Sequence, residues 1–212
     1  MKRIFLTLSV VILFSINNQA QNHSNSSNSC LSEHNYLVDL TYGFPNWSRI
    51  WLGPRVVDNG IGPSSVYKNI GPIDLKVEKM ISSKIGIGAE ILYTDMSVKF
   101  SETETDSVGN INFYSVEVGR KHFSIMPSFN YHFFIDSKFE MHMSVAAGYK
   151  HVKWFARAES PNYEDEVSVG SVLPIDFRSS IGMHYYFSEI IGMKLDFGLG
   201  GPLVSAGLSF RL

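Results

Sequence analysis

The sequence predicts an all-β fold, a closed antiparallel eight-stranded transmembrane β-barrel of up-and-down topology. Three observations lead there. Polar and apolar residues alternate with period two along most of the chain after residue 35. About eight such stretches occur, the even number that single-chain outer-membrane barrels use. The two faces they define are the wrong way round for a water-soluble protein: one is a ladder of large apolar side chains, the other mostly Gly, Ser, Ala and His with sparse charges of both signs.

The chain opens with MKRIFLTLSVVILFSINNQAQ. Lys2 and Arg3 give a positive start, Ile4 to Ile16 an apolar stretch too short to cross a bilayer as a helix, and Ala20 a small residue before Gln21. Residues 1–20 therefore read as a secretory signal peptide. Residues 21–34, containing NHSNSSNSC, read as a disordered polar linker. Cys30 is the only cysteine, which excludes an internal disulfide and suggests a free thiol in a mobile tail. Residues 35–212 form the barrel. With 18 Lys and Arg against 20 Asp and Glu, the net charge of −2 excludes a nucleic-acid surface. No stretch after the signal is apolar for the length of a membrane helix, a criterion blind to barrels.

The strands follow in order. YLVDLTY sets Tyr36, Val38, Leu40 and Tyr42 against Asp39 and Thr41. IDLKVEK sets Ile73, Leu75 and Val77 against Asp74, Lys76 and Glu78. IGIGAEILY sets Ile85, Ile87, Ala89, Ile91 and Tyr93 against Gly86, Gly88 and Glu90. KHFSIMPSFNYHFF sets Phe123, Ile125, Pro127, Phe129, Tyr131 and Phe133 against His122, Ser124, Met126, Ser128, Asn130 and His132. Pro127 would remove a ladder hydrogen bond, so a local bulge is expected there. EMHMSVAAGYK sets Met141, Met143 and Val145 against Glu140, His142 and Ser144. IDFRSSIGMHYYF places Asp176, Arg178 and His184 opposite Ile175, Phe177 and Ile181. IGMKLDFGL places Lys194 and Asp196 opposite Met193, Leu195 and Phe197. VSAGLSFRL places Arg211 with Ser205 and Ser209.

Short turns (SSK after Ile81, DSK after Ile135, SE after Phe187) alternate with longer connections over residues 43–71, 101–110 and 157–170, the two-rimmed pattern of a barrel threaded through a membrane. A soluble barrel would carry many Lys and Glu outside. Here the polar face is small enough to fit the crowded interior of eight strands. Ten residue steps from Phe123 to Phe133 cover roughly 25 Å along a tilted barrel axis, the height of an apolar membrane band. Phe123, Ile125, Phe129, Tyr131, Phe133, Phe197 and Phe210 are therefore expected to face lipid. The polar network expected in the lumen comprises Asp74, Lys76, Glu90, Glu140, His142, Ser144, Asp176, Arg178, Lys194, Asp196 and Arg211, with Asp39, Glu78 and Lys150 on the same face. Charges confined there must pair, which implies a plug and not a pore.

The C-terminal AGLSFRL resembles the last-strand signal of Gram-negative outer-membrane barrels, carried by Gly207, Leu208, Phe210 and Leu212, although a terminal aromatic is more usual. With GLGGPLVSAGLSF and FNYHFF, the chain from Tyr36 to Leu212 resembles the small eight-stranded outer-membrane barrels, the OmpA/OmpX/OmpW-like group often labelled outer membrane protein beta-barrel domain. That resemblance implies insertion by the barrel-assembly machinery through the last strand, a place in the cell envelope, and no shared catalytic residues.

Glu140, His142 and Ser144 on one strand face suggest a hydrolase. Alternate strand residues stand roughly 6.6 Å apart, however, and a lipid substrate would lie outside the barrel. No catalytic site is expected. His122, His132, His142 and His184 face inward. His132 and His142 flank one hairpin at similar height, but no metal-site spacing accompanies them, so no metal and no cofactor are expected. Phe44, Trp47, Arg49, Ile50 and Trp51 in the first long connection suit an interfacial aromatic girdle. The acidic SETETDS and NYEDEV suit solvated outer loops, with bridging to lipopolysaccharide through divalent ions as a further use. The expected role is non-enzymatic: envelope structure, or binding of an extracellular ligand through the loops. The alternatives are a narrow porin-like channel for small or apolar solutes and a lipid-modifying hydrolase. The expected partners are outer-membrane lipids and lipopolysaccharide.

Overall fold

The protein is described here by a computed structural model that covers residues 30–45, 66–105, 111–160, 163–170 and 173–212. The described residues form nine strands: β1 (Tyr36–Phe44), β2 (Val66–Met80), β3 (Ile85–Thr105), β4 (Ile111–Ile135), β5 (Phe139–Ser160), β6 (Tyr163–Gly170), β7 (Ile175–Tyr186), β8 (Ile191–Leu199) and β9 (Val204–Arg211). All pairings are antiparallel between neighbours, in the order β4-β3-β2-β1-β9-β8-β7-β5, and β4 also pairs with β5. Eight strands thus close into a barrel. β6 adds to the far half of β5, above the segment that pairs with β7.

Closure is made by the last strand against the first, from Leu37 opposite Arg211 to Phe44 opposite Val204. The Tyr36 amide donates to the Leu212 carbonyl at 2.9 Å, and the Leu212 amide to the Tyr36 carbonyl at 2.8 Å. Gly207, Leu208, Phe210 and Leu212 therefore lie in or beside the seam. No sheet edge is left in the barrel wall, which is what a spanning β structure requires.

The wall is inside-out. Asp39, Lys76, Glu78, Glu90, Arg178 and Lys194 are almost wholly buried, while Leu40, Ile87, Ile125, Phe129, Phe177 and Met193 are exposed. Phe123, Tyr131, Phe133 and Phe197 also point outward, and Phe210 is half-buried on the same surface. An apolar exterior around a polar interior is the surface of a membrane barrel. The shortest walls, β1, β8 and β9, have 9, 9 and 8 residues, close to the length that crosses a bilayer. β3, β4 and β5 have 21, 25 and 22, so a four-stranded sheet of β3 to β6 rises well beyond the opposite rim. Its own apolar nucleus is Met96, Val98 and Phe100, packed with Val116 and Val118.

Several expectations need correction. Residues 101–105 and most of 157–170 are strand, not loop: β3 pairs with β4 through Thr105 opposite Ile111, and β5 with β6 through Ser160 opposite Tyr163. Acidic and hydroxyl side chains are compatible with a ladder once both faces meet water, so polarity alone does not mark where pairing stops. The bulge sits at Phe133, not at Pro127. The register between β4 and β5 is the same on either side of Pro127 and shifts between His132 and Phe134, which turns Phe133 and Phe134 both outward. Cys30 does not lie in a mobile tail. Cys30 and Leu31 are buried with Leu37, Met80 and Tyr186, against Ile135. The Cys30 amide donates to the Asp136 carbonyl at 2.8 Å, and burial, helped by the charge of Glu140, pushes the thiol up to about 11. Trp47, Arg49, Ile50 and Trp51 lie outside the described residues. Phe44, at the end of β1, is fully exposed.

Candidate functional site

The lumen is filled by three layers, and strand alternation supplies all of them. Nearest the termini is the apolar cap of Cys30, Leu31, Leu37, Met80 and Tyr186. Above it lies a layer built around Glu140, which enters β5 directly after a tight turn. The imidazole of His132 on β4 contacts Glu140 Oε2 through Nδ1 at 2.7 Å and Glu78 Oε1 through Nε2 at 2.7 Å. His142 contacts Glu140 Oε1 through Nδ1 at 3.1 Å, and its Nε2 faces Asp196 Oδ1 at 3.4 Å. His184 on β7 contacts Glu140 Oε1 through Nδ1 and Asp39 Oδ1 through Nε2 at 3.1 Å. His132 and His184 thus bridge the shared carboxylate to a carboxylate of their own, while His142 Nε2 lies near Asp196 without a hydrogen bond.

Those outer carboxylates are held in turn. Lys194 Nζ donates to Asp39 Oδ2 at 2.8 Å and lies 3.2 Å from Asp196 Oδ2. Lys76 Nζ donates to Asn130 Oδ1 at 2.6 Å and to Ser144 Oγ at 3.2 Å, and stands 3.9 Å from Glu78. Gly182 makes room for this arrangement, since a Cβ there would lie 2.6 Å from His142 Nε2 and collide with Asp196 Oδ1. Gly86 does the same beside the Glu78 carboxylate.

The third layer is Arg178, whose Nη1 donates to Asp74 Oδ2 at 2.9 Å and Glu90 Oε1 at 2.7 Å, and whose Nη2 donates to Ser205 Oγ at 3.2 Å. Beyond it a vestibule of about 430 Å³ opens at the opposite rim, lined by Arg120, His122, Lys150 and Asp176 and by the turn from Leu199 to Leu203. His122 Nε2 contacts Asp176 Oδ2 there at 3.2 Å, and Lys150 stands 3.9 Å from Asp176.

The structure brings together most of the predicted polar residues and separates a few. Asp74, Glu90 and Arg178 form one group; Lys76, Glu140, His142, Ser144, Lys194 and Asp196 fall in or beside the histidine layer; Asp176 belongs to the vestibule. Arg211 does not join them. Its inward parity carries it to the rim below Tyr186, where it donates to the carbonyls of Glu189 and Cys30 and lies 4.7 Å from the Tyr186 ring centre. Ser144 meets Lys76 and not His142, so the three residues that suggested a hydrolase form no relay. Glu78, Asp39 and Asn130 matter more than spacing suggested, and Arg120 was not anticipated. Its position two residues before His122, with the same inward parity, was the available signal.

His132, Glu140 and His142 each offer a ligand atom within 4.8 Å of the others, and all three are buried. Among the described residues this is the group able to hold a metal ion.

No family model matches the chain, and no curated protein matches it by sequence. Among solved structures, it is similar to Ail, the attachment invasion locus protein of Yersinia pestis, at 11% identity over 84% of this chain and 95% of that one, with a TM-score of 0.39. The same protein in complex with the heparin analogue sucrose octasulfate matches at 11% identity over 85% and 99%, with a TM-score of 0.41. The N-terminal β-barrel domain of Pseudomonas aeruginosa OprF matches at 7% identity over 86% and 100%, with a TM-score of 0.36. Identities and scores this low carry no correspondence between residues.

Proposed function

We propose that this chain is an integral outer-membrane barrel with a sealed lumen and a non-enzymatic role, which presents the raised sheet of β3 to β6 as a binding surface outside the cell. A secretory signal over residues 1–20 brings it across the inner membrane, the seam strand β9 carries the assembly signal, and the termini lie at the periplasmic rim. The observation that carries this reading is the inequality of the walls. A barrel whose only task were to span would need no strand of 25 residues, yet β4 has that length and β9 has 8. The lumen offers neither a path nor an accessible nucleophile, because the apolar cap and two charged layers fill it. What remains for function is the projecting sheet. Its outward side carries Lys121, Lys153 and Arg157 among Asp95, Glu117 and Glu166, with Lys68 of the neighbouring β2 beside them, above the apolar band. Lipopolysaccharide phosphates, held by basic side chains of that cluster, are the nearest ligands available at that height.

Topology is tested by labelling. A Glu159→Cys variant, in a Cys30→Ser background, should react with a membrane-impermeant maleimide on intact cells. Labelling only after the outer membrane is permeabilised would place the sheet in the periplasm and overturn the reading.

A further inference from the structure

We infer that the histidine layer is a structural metal site for Zn²⁺, with Nδ1 of His132 and His142 and the carboxylate of Glu140 as ligands and His184 packed beside them. The inference goes beyond the proposed surface role and does not depend on it.

The first argument is the direction of the ring nitrogens. All three imidazoles turn Nδ1 toward one carboxylate, and all three turn Nε2 toward a different one: Glu78 for His132, Asp196 for His142 and Asp39 for His184. A carboxylate can only accept, so each outer partner fixes the proton on Nε2. That leaves three Nδ1 lone pairs converging on Glu140, itself an acceptor. Such a convergence needs positive charge, carried either by protons on the imidazoles or by a cation at its centre. Metal-bound imidazoles commonly donate their other N–H to a carboxylate; His132 and His184 have that second partner within hydrogen-bond distance, and His142 Nε2 has Asp196 nearby at 3.4 Å. Lys194 and Lys76 then anchor the outer carboxylates.

The second argument is charge. In the closed part of the lumen Asp39, Asp74, Glu78, Glu90, Glu140 and Asp196 face three permanent cations, Lys76, Arg178 and Lys194. Three protons on the imidazoles would balance them. That would place three imidazolium rings side by side, with centres 5.4 Å apart between His132 and His142 and 5.0 Å apart between His142 and His184, like charges in a buried layer. A divalent ion supplies two of those three charges at one point, so that at most one imidazole need carry a proton and the rings lie together without mutual repulsion.

The third argument is donor type and enclosure. Imidazole nitrogen with one carboxylate oxygen suits zinc, whose tetrahedral ligand atoms stand about 3.3 Å apart. The contact of Glu140 with His142, at 3.1 Å, is close to that spacing, and the contact with His132, at 2.7 Å, would have to open by about 0.6 Å to admit the ion. His132, Glu140, His142 and His184 are wholly buried beneath the apolar cap, so no coordination position opens to water or substrate. The site is therefore structural: it ties β4 to β5 at the rim near Tyr36 and Leu212, with His184 of β7 packed against it.

The test uses the full mature chain, refolded from metal-free denaturant into detergent micelles with Zn²⁺ or Co²⁺ and then desalted. The expected result is one metal ion per chain by elemental analysis, and intense visible absorption of tetrahedral type for cobalt. Glu140→Gln and His142→Ala should lose the ion. Asp196→Asn, which keeps its volume and guards against a mere folding failure, should weaken binding 10- to 100-fold. His122→Ala, in the vestibule, should bind as the parent does. Folded parent protein that takes up no stoichiometric metal overturns the inference. So does metal uptake that Glu140→Gln and Asp196→Asn leave unchanged.

Discussion

Arg178 on β7 reaches across the lumen to Glu90 on β3, with Nη1 2.7 Å from Oε1, and the same nitrogen holds Asp74 on β2 at 2.9 Å. One guanidinium thus joins three walls of the barrel. Removing it would leave two carboxylates side by side without a cation. Arg178→Met should therefore cost about 3–5 kcal/mol, the penalty of an uncompensated buried charge, measured by urea unfolding in micelles. Adding Asp74→Asn and Glu90→Gln to that variant should restore much of the loss, since the unpaired charges go too. A single variant as stable as the parent would mean that the layer contributes nothing to holding the walls.

Much of this lumen was legible in the sequence, and the reason is strand geometry. Because side chains alternate strictly, the parity of Asp74, Lys76, Glu90, Arg178, Lys194 and Asp196 fixed the side of the wall each would occupy. Parity says nothing of height or partner. Those depend on register across strands far apart in sequence, such as Arg178 with Glu90 or His184 with Asp39. The histidine layer was legible only in part: one hairpin sets His132 opposite His142, but no local spacing encodes their meeting with His184, Glu78 and Asp39. Arg211 had the right parity and the wrong height. The strand extensions were missed because a ladder above a membrane carries the same polar residues as a loop.

Phe129 lies midway along the outward ladder of β4, exposed between Ile125 and Phe133. Phe129→Arg should cost about 2–4 kcal/mol at the bilayer midplane and cut the yield of folded barrel in the membrane fraction. Normal amounts of heat-modifiable barrel from this variant would mean that the outward face does not meet hydrocarbon.

Glu166 on β6 is gripped by two cations of β5, Arg157 Nη2 at 2.8 Å and Lys153 Nζ at 3.0 Å. Hydrogen bonds from Arg157 and then Lys153 hold its carboxyl down to about 2. A depressed carboxyl stabilises the folded form above its ordinary value near 4.5, and that contribution fades as pH falls through 2. Hydrogen exchange in β6 should accordingly quicken between pH 4.5 and 2, after correction for the intrinsic rate. Glu166→Gln should exchange faster at neutral pH and lack the added acid dependence. Identical profiles for parent and variant would show that the pair does not fasten β6 to β5.

Conductance tests the lumen as a whole. A path for ions would have to pass the Arg178 layer, the Glu140 layer and the cap of Leu37, Met80 and Tyr186, all nearly inaccessible to solvent. Eight strands leave an interior that side chains fill, and these side chains are cross-linked by charge between walls. Separating them to admit an ion would strand charges in a medium of low dielectric, a cost no hydrated ion recovers on passing. Purified protein in planar bilayers should give no sustained current. Removing the segment before Asn35 should leave it silent, because the two charged layers above the cap still close the bore. A steady, ion-selective current of porin size from either protein would require these layers to part, and would make the chain a channel.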